Sequence, residues 1–542
     1  MRKLIAAIGA AALLSTAAVA IAPSAYAGPP TCTKASDGVE TCTGTLSNGA
    51  GYLIKVPAKF GGTFFYWNHG IRFTYPLPGV IAVPKGVETL TPTSANTGLN
   101  VDTEMLRAGY GLATYDGVST GGLRGWNSVD RVEMLKELIV TVRAKYTVKK
   151  GVIYGASQAG SIVTPFIEKY PTYADAVGIM AGVTPSIGQS VQSLCDAFYI
   201  LSVFADPTIK GCAAMGVKGA AGFYAAAAEF GKVVALLTAW GGNLGAPGLE
   251  YPAALKGSGI PQRSALLLTG LLIGLPAKSA HMDGITTSAV IPEQSINATV
   301  AILENFGEAI ATGTFGGQAI SEITGPGFYD NTKTNWFSLL DPADSGRYNL
   351  GLSGDGAIAG MLGVLSLAPR VTGDPAAVAK LKALDKSKFD TTKPVVLLSN
   401  EADRLVFSGN QALYQDKARA VYDAKLAIYE AARDNAATSA ERAAAAKLKP
   451  FFNVASLYAM TPETYTKYTA AGLPDFAAAI APSGVGHQNF TLKQMMAWVK
   501  ILAHAADTGK VGTPGYLQQY IKRAPGLNSD LDYRPADLKY NW

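Results

Sequence analysis

The sequence predicts an α/β fold, a mostly parallel sheet flanked by helices and interrupted by a large helical cap insertion. Three features of the chain predict it. From about residue 50 to 185, short apolar strands alternate with helical patterns, as a parallel sheet covered on both faces requires. Near Pro185 the alternation stops, and the chain to about Phe389 is rich in Ala, Gly and Leu. Sheet-type sequence resumes in "KPVVLLSNEAD", Lys393 to Asp403, so the helical region reads as an insertion rather than a separate domain. The organisation is therefore a leader over 1–27, core sequence over 28–185, a cap over 186–389, and further core with a C-terminal tail over 390–542.

Each element follows in chain order. Met1-Arg2-Lys3 is a basic start, Leu4 to Ala22 is apolar, and Ala25-Tyr26-Ala27 has the small-x-small cleavage pattern. A membrane anchor is the rival reading, because the apolar run approaches spanning length. Pro23 and the cleavage pattern favour export with removal near Ala27, into the medium or a periplasm, with no stable membrane anchor. All four cysteines lie beyond that point. Cys32 with Cys42 and Cys195 with Cys212 form two close pairs, which an oxidising compartment favours as local disulfides. Their spacing does not suit zinc.

Residues 28 to about 60 are β-rich, with "GAGYLIKVP" as a strand. "GTFFYWNHG" carries a strand from Thr63 to Trp67, and "GYGLATYDG" another that closes on Asp116. A helix is predicted from about Asn127 to Tyr146, with Val129, Val132, Leu135, Leu138, Ile139 and Val142 as its apolar face. Val152 to Tyr154 form a buried strand, followed by a helix with Ile162, Phe166 and Ile167 on one side, then the strand "ADAVGIMAGV". In the cap, "AAGFYAAAAEFGKVVALLTAW" and "SALLLTGLLIGL" read as helices, the second too short to cross a bilayer. Beyond Asp403 come Ala-rich helices over roughly 410–448, the loop "APSGVGHQNF" and the helix "TLKQMMAWVKILAHA".

Composition narrows the function classes. Of 542 residues, 48% are hydrophobic and 16% charged, which is neither a disordered nor a nucleic-acid-binding composition. The net charge of +6 includes the leader's Arg2 and Lys3, and no Lys/Arg cluster marks a polyanion-binding face.

The chemistry centres on Gly155-Ala156-Ser157-Gln158-Ala159-Gly160, between the strand and the helix. A serine there is presented to solvent beside a helix N-terminus, whose unpaired N–H groups stabilise developing negative charge. The plainer alternative is a serine that caps a helix. A serine nucleophile needs a base, and the chain has four histidines: His69, His281, His487 and His504. His504 sits within a helical pattern, which fits packing. His281 lies in the cap, where a surface role and a substrate-facing role stay open. The base in turn needs a carboxylate to hold its tautomer; Asp403 and Glu401 follow a buried strand, and Asp116 ends another.

"NHG", "GASQAG", "EAD" and "GVGH", in this order, resemble the α/β-hydrolase superfamily in its secreted bacterial serine esterase and lipase-like branch. The resemblance covers roughly 50–185 and 390–505; the cap has no matched counterpart. It implies that Ser157 is the nucleophile on a G-x-S-x-G elbow, from which this chain departs by Ala159. It implies the chain order nucleophile, acid, base, hence Asp403 over Glu401 and Asp116, and His487 over the other three histidines. It further implies an oxyanion hole from the Gln158 N–H and a second N–H, that of Gly70 or Ile71, with His69 shaping that loop.

The expected function is an exported serine hydrolase that cleaves a small-molecule or polymeric carboxylic ester without metal or organic cofactor. The apolar cap points to a greasy or aromatic acyl or alcohol group. Secreted serine aminopeptidases share the layout and give the alternative. Their glycine-proline-rich oxyanion motif is replaced here by "NHGIRF", which favours esters. A hydrolase-like fold that binds without catalysis is the third reading. The sequence leaves oligomeric state and acyl preference open.

Overall fold

The computed structural model describes residues 30–95, 97–119, 122–241, 258–290, 292–390, 392–478, 481–530 and 532–540. The leader over 1–27 lies outside them. Ten strands form one sheet: β1 (Thr31–Lys34), β2 (Glu40–Thr45), β3 (Gly51–Val56), β4 (Thr63–Asn68), β5 (Gly111–Tyr115), β6 (Lys150–Ala156), β7 (Ala176–Met180), β8 (Val395–Asn400), β9 (Val454–Ala459) and β10 (Leu527–Asn528). Their spatial order is β1-β2-β3-β5-β4-β6-β7-β8-β9-β10. The centre, from β5 through β4 and β6 to β9, is parallel. β1, β2 and β3 extend it antiparallel at one edge, and β10 at the other.

Parallel neighbours need crossover connections, and helices supply them. These are α1 (Asp102–Arg107), α2 (Ser128–Lys145) and α3 (Gly160–Lys169), joining β4 to β7 in turn. Strand pleating sends alternate side chains to opposite faces, so one strand feeds two cores. Phe65, Trp67, Val152 and Tyr154 pack on one face with Trp498, Ile501 and Leu502 of a late helix. Phe64, Tyr66 and Ile153 pack on the other with Leu135, Leu138, Ile162 and Phe166. The exchanged β4 and β5, the parallel centre and the helices on both faces make this the α/β-hydrolase fold.

Between β7 and β8 the described chain holds only helices: α4 (Ile187–Phe204), α5 (Gly219–Gly241), α6 (Gln262–Ile273), α7 (Gln294–Thr324), α8 (Trp336–Leu339), α9 (Pro342–Arg347), α10 (Asp355–Leu367) and α11 (Pro375–Ala383). Their apolar side chains merge into one cluster that also takes in Trp126, Val183 and Val406 from the sheet domain. α5 is long and apolar enough to cross a membrane by length and composition, but Phe223, Phe230, Val233 and Trp240 are buried in this cluster. Every residue of α6 except Arg263 is buried. Disulfides join Cys32 to Cys42, across β1 and β2, and Cys195 to Cys212, tying α4 to the turn before α5. Beyond β8 lie α12 (Gly409–Asp434), α13 (Ser439–Lys447), α14 (Leu492–Thr508) and α15 (Pro514–Ile521).

Two sequence expectations need correction. Val129 stands 79% exposed, one position off the stripe that buries Val132, Leu135, Leu138, Ile139 and Val142. β9, entirely buried, was not anticipated; its six residues "VASLYA" follow Ala-rich helices and carry no alternation of their own.

The C-terminal tail returns to the cap. Lys539 Nζ donates to the Leu339 carbonyl at 2.8 Å, and the Tyr540 hydroxyl donates to Asp196 of α4. Asp196 also accepts the Tyr329 hydroxyl at 2.7 Å and is 1% exposed. Burial pushes its carboxyl up to about 7, against the opposite pull of the two tyrosines. The folded state therefore holds a proton that the unfolded chain releases near pH 4. The stability this proton brings is full below about pH 4 and is lost as pH rises through about 7. Urea unfolding between those limits is expected to show a decline that Asp196→Asn flattens; the same slope in both proteins would remove Asp196 as its source.

Candidate active site

Ser157 directly follows β6 and begins a 3-10 turn, Ser157–Ala159, that runs directly into α3. Its φ is +57°, a left-handed conformation that costs a non-glycine residue about 1–3 kcal/mol. The small neighbours are what allow it. A Cβ on Gly155 would collide with the Ala159 methyl and the Asn68 carbonyl, and one on Gly160 would lie 2.6 Å from the Val183 carbonyl oxygen. Ala159 thus fits where a glycine is usual because Gly155 opposite it has no side chain. The Val183 N–H closes the turn by donating to the Ser157 carbonyl at 2.9 Å.

The His487 and Asp403 loops are joined by backbone before their side chains meet. Ala402 N–H donates to the Gly484 carbonyl and Gly486 N–H to the Ala402 carbonyl, both at 2.9 Å, a parallel bridge that continues β8 beside the histidine loop. Asn489 Nδ2 pins that loop through the carbonyls of Pro482 at 2.7 Å and Val485 at 3.0 Å. The Asp403 carboxylate is 1% exposed. One oxygen accepts the N–H groups of Leu405 and Val406 at 2.9 and 3.0 Å; the other lies 2.8 Å from His487 Nδ1. Nδ1 therefore carries the proton, and Nε2 keeps its lone pair. The Gln488 side-chain amide donates to Nε2 at 3.0 Å from a backbone φ of +56°. His487, Gln488, Ser157, Gln158, Gly70 and Ile71 line one cavity of about 320 Å³.

Opposite the elbow runs the loop that follows β4. A Cβ on Gly70 would lie 2.9 Å from Ser157 Cβ and 3.3 Å from its Oγ, so the loop's backbone reaches the hydroxyl only as glycine. His69 holds this loop. Its Nδ1–H donates to the Gly70 carbonyl at 2.7 Å, and its Nε2 accepts the Gly117 N–H at 3.0 Å. Burial, then the charges of Arg131 and Arg72, push its pKa well below the ordinary histidine range, so the ring is neutral.

Arg131 of α2 joins the two halves of the site and carried no signal in the sequence beyond a helical charge. It is 1% exposed. Its guanidinium donates to the Gln158 side-chain oxygen at 2.9 Å and to the His69 carbonyl at 2.8 Å. Gln158 Nε2 in turn donates to the Gly125 carbonyl at 3.0 Å. Asp116, near in space, is taken by Arg124 at 2.7 Å. Among the described residues no carboxylate forms an ion pair with Arg131.

The remaining sequence candidates lie elsewhere. Glu401 pairs with Lys278 at 3.0 Å and accepts the Thr461 hydroxyl, whereas Asp403 takes His487. His281 pairs with Glu304 at 2.7 Å within the cap, and His504 stacks on Tyr516 with ring centroids 3.9 Å apart.

No protein-family model matches the chain, and no curated protein matches it. Solved structures that resemble it include feruloyl esterase B from Aspergillus oryzae, at 11% identity and TM-score 0.33, covering 80% of this chain and 78% of that one. An esterase from Aspergillus oryzae matches at 12% and 0.30, covering 78% and 71%. The rice cell wall degrading esterase from Xanthomonas oryzae matches at 12% and 0.27, covering 71% and 80%. Likeness this low carries no weight for substrate or mechanism; the fold stands on the strand order itself.

The geometry around Arg131 generates a test. Arg131→Met strips the donor from the His69 carbonyl and the Gln158 side chain, at about 1–3 kcal/mol for each group left unpaired. The folded variant is expected to react with a fluorophosphonate at Ser157 about tenfold more slowly or worse. Labelling at the parent rate would show that the guanidinium does not hold the two loops in register.

Proposed function

We propose that the chain is an exported serine hydrolase that cleaves carboxylic esters. The reading rests on one observation above the others: a serine held at φ +57° opens onto the same cavity as an imidazole whose proton is already committed to a buried carboxylate. In the reactive arrangement the Ser157 hydroxyl takes the place of the Gln488 amide at His487 Nε2. Ser157 Oγ attacks the acyl carbon and its proton passes to Nε2, while Asp403 stabilises the resulting imidazolium. The Gln158 N–H, in the first turn of a helix and so without an intrahelical acceptor, donates to the oxyanion, with Gly70 or Ile71 as the second donor. The C–O bond then breaks and the alcohol leaves with the proton from His487. Water attacks the acyl-enzyme, His487 takes its proton, and the acid departs as Ser157 is restored.

Esters are favoured over free aminoacyl substrates by what the cavity lacks. Among the described residues its lining contains no Asp or Glu side chain to meet a substrate ammonium. The disulfides Cys32–Cys42 and Cys195–Cys212 support an oxidising destination.

Hydrolysis of a p-nitrophenyl ester is expected to fall by about 10⁴-fold or more in kcat in Ser157→Ala and in His487→Ala, with the fold unchanged by circular dichroism. Asp403→Asn is expected to lose about as much, through the wrong imidazole tautomer. Parent-like turnover in Ser157→Ala, or faster cleavage of aminoacyl amides than of esters by the parent, would contradict the reading.

A further inference from the structure

We infer that the cavity beside Ser157 is a preformed acyl pocket for one compact, uncharged apolar acyl group, with its far limit set by α7 at Gly316. This rests on the hydrolase reading and adds the class of substrate to it.

The volume sets the size. About 320 Å³ lies at the small end of the roughly 300–1,000 Å³ typical of ligand pockets, room for a medium-length chain or a single ring but not a long lipid tail. The lining sets the polarity. Away from Ser157 the walls are Phe73, Ile81, Trp126, Val191, Leu194 and Phe315.

The polar side chains that reach the lining are engaged elsewhere. Arg72 is paired with Glu88 at 3.0 Å and bonds the Ile71 carbonyl at 3.1 Å. Thr312 donates to the Glu308 carbonyl at 3.1 Å, and Ser190 to Asn410 at 3.2 Å. A charged acyl terminus would lose its hydration there and, outside the catalytic groups, meet only an arginine already paired with Glu88, which apolar pockets penalise.

The walls hold their shape without a ligand. Phe315 sits in an aromatic cluster, 5.2 Å from Phe223, 5.6 Å from Phe230 and 6.0 Å from Phe73 between ring centroids. Leu194 is followed by Cys195, which the disulfide to Cys212 anchors. Gly316 shares a helix face with Thr312, four residues earlier, and both line the cavity. A Cβ at Gly316 would meet no atom within 4 Å, so a side chain placed there grows into open space rather than into the core.

The direction of the pocket follows from the attack. With the carbonyl oxygen toward the Gln158 and Gly70 side and the leaving oxygen toward His487, the acyl chain points away from His487, toward α4 and α7.

The experiment compares p-nitrophenyl acetate, hexanoate and palmitate, and a hexanoate-length ester ending in a carboxylate, on the parent and on Gly316→Leu. The parent is expected to prefer hexanoate over both acetate and palmitate in kcat/KM by about tenfold or more, and to reject the carboxylate-ended ester to a similar degree. Gly316→Leu is expected to lower the hexanoate-to-acetate ratio of kcat/KM by about tenfold or more. Fluorophosphonates with short and hexyl substituents give a second readout, the variant losing rate only toward the longer one. Equal losses on acetate and hexanoate, or a parent that accepts the carboxylate-ended ester as well as hexanoate, would overturn the pocket while leaving the hydrolase reading in place. No hydrolysis of any ester and no labelling at Ser157 would overturn both.

Discussion

The left-handed backbone of Ser157 is the constraint around which the rest of the site is arranged. A residue with a side chain does not rest at φ +57° unless its surroundings enforce it. Here they do so from three directions. β6 is hydrogen-bonded on both sides within the parallel sheet, Gly155 and Gly160 admit the Asn68 and Val183 carbonyls at close range, and the Ser157 carbonyl is held by the Val183 N–H. The turn cannot relax without disturbing the centre of the sheet. That rigidity lets a hydroxyl stand clear of its own backbone in front of a helix N-terminus.

Charge is distributed around the hydroxyl with comparable economy. The one carboxylate bonded to His487 is buried and satisfied by two backbone N–H groups as well as by the imidazole. On the opposite side Arg131 is buried without an ion-pair partner among the described residues, and burial pulls its pKa down from the ordinary arginine value. Taking such a charge out of water is costly, and breaking its bonds costs more. Its position explains its presence: it donates at once to the His69 carbonyl, on the loop that approaches Ser157, and to the side chain of Gln158, the residue after Ser157. The fixed cation and a neutral His69 give that side a positive potential, which suits charge developing on a carbonyl oxygen.

Much of this was legible in the sequence and some was not, for identifiable reasons. The elbow is legible because its constraints are local; six consecutive small or polar residues between a strand and a helix leave few alternatives. Asp403 and His487, 84 residues apart in the chain, are legible only as residues that follow strands in a known order, and the backbone bridge from Ala402 to Gly484 and Gly486 that joins them has no sequence signature. Arg131 is illegible because a lone arginine in a helix normally reads as solvated. β9 is illegible because a short, fully buried strand has no polar side to alternate with. Inside the cap, α6 is almost wholly apolar from Ala265 onward, so its sequence announces burial without naming its neighbours.

The cap and the sheet meet at the cavity, which takes walls from the loop after β4 and from α4 and α7, so in the proposed reading chemistry and selectivity fall to different parts of the chain. The central claim, that three loops converge to activate one hydroxyl, is tested most directly by intact-mass and peptide analysis after treatment with a fluorophosphonate. One adduct per chain, located on Ser157 and absent when His487 is replaced by alanine, is the predicted result. A folded protein that stays unmodified, or carries the adduct on another residue, would contradict it.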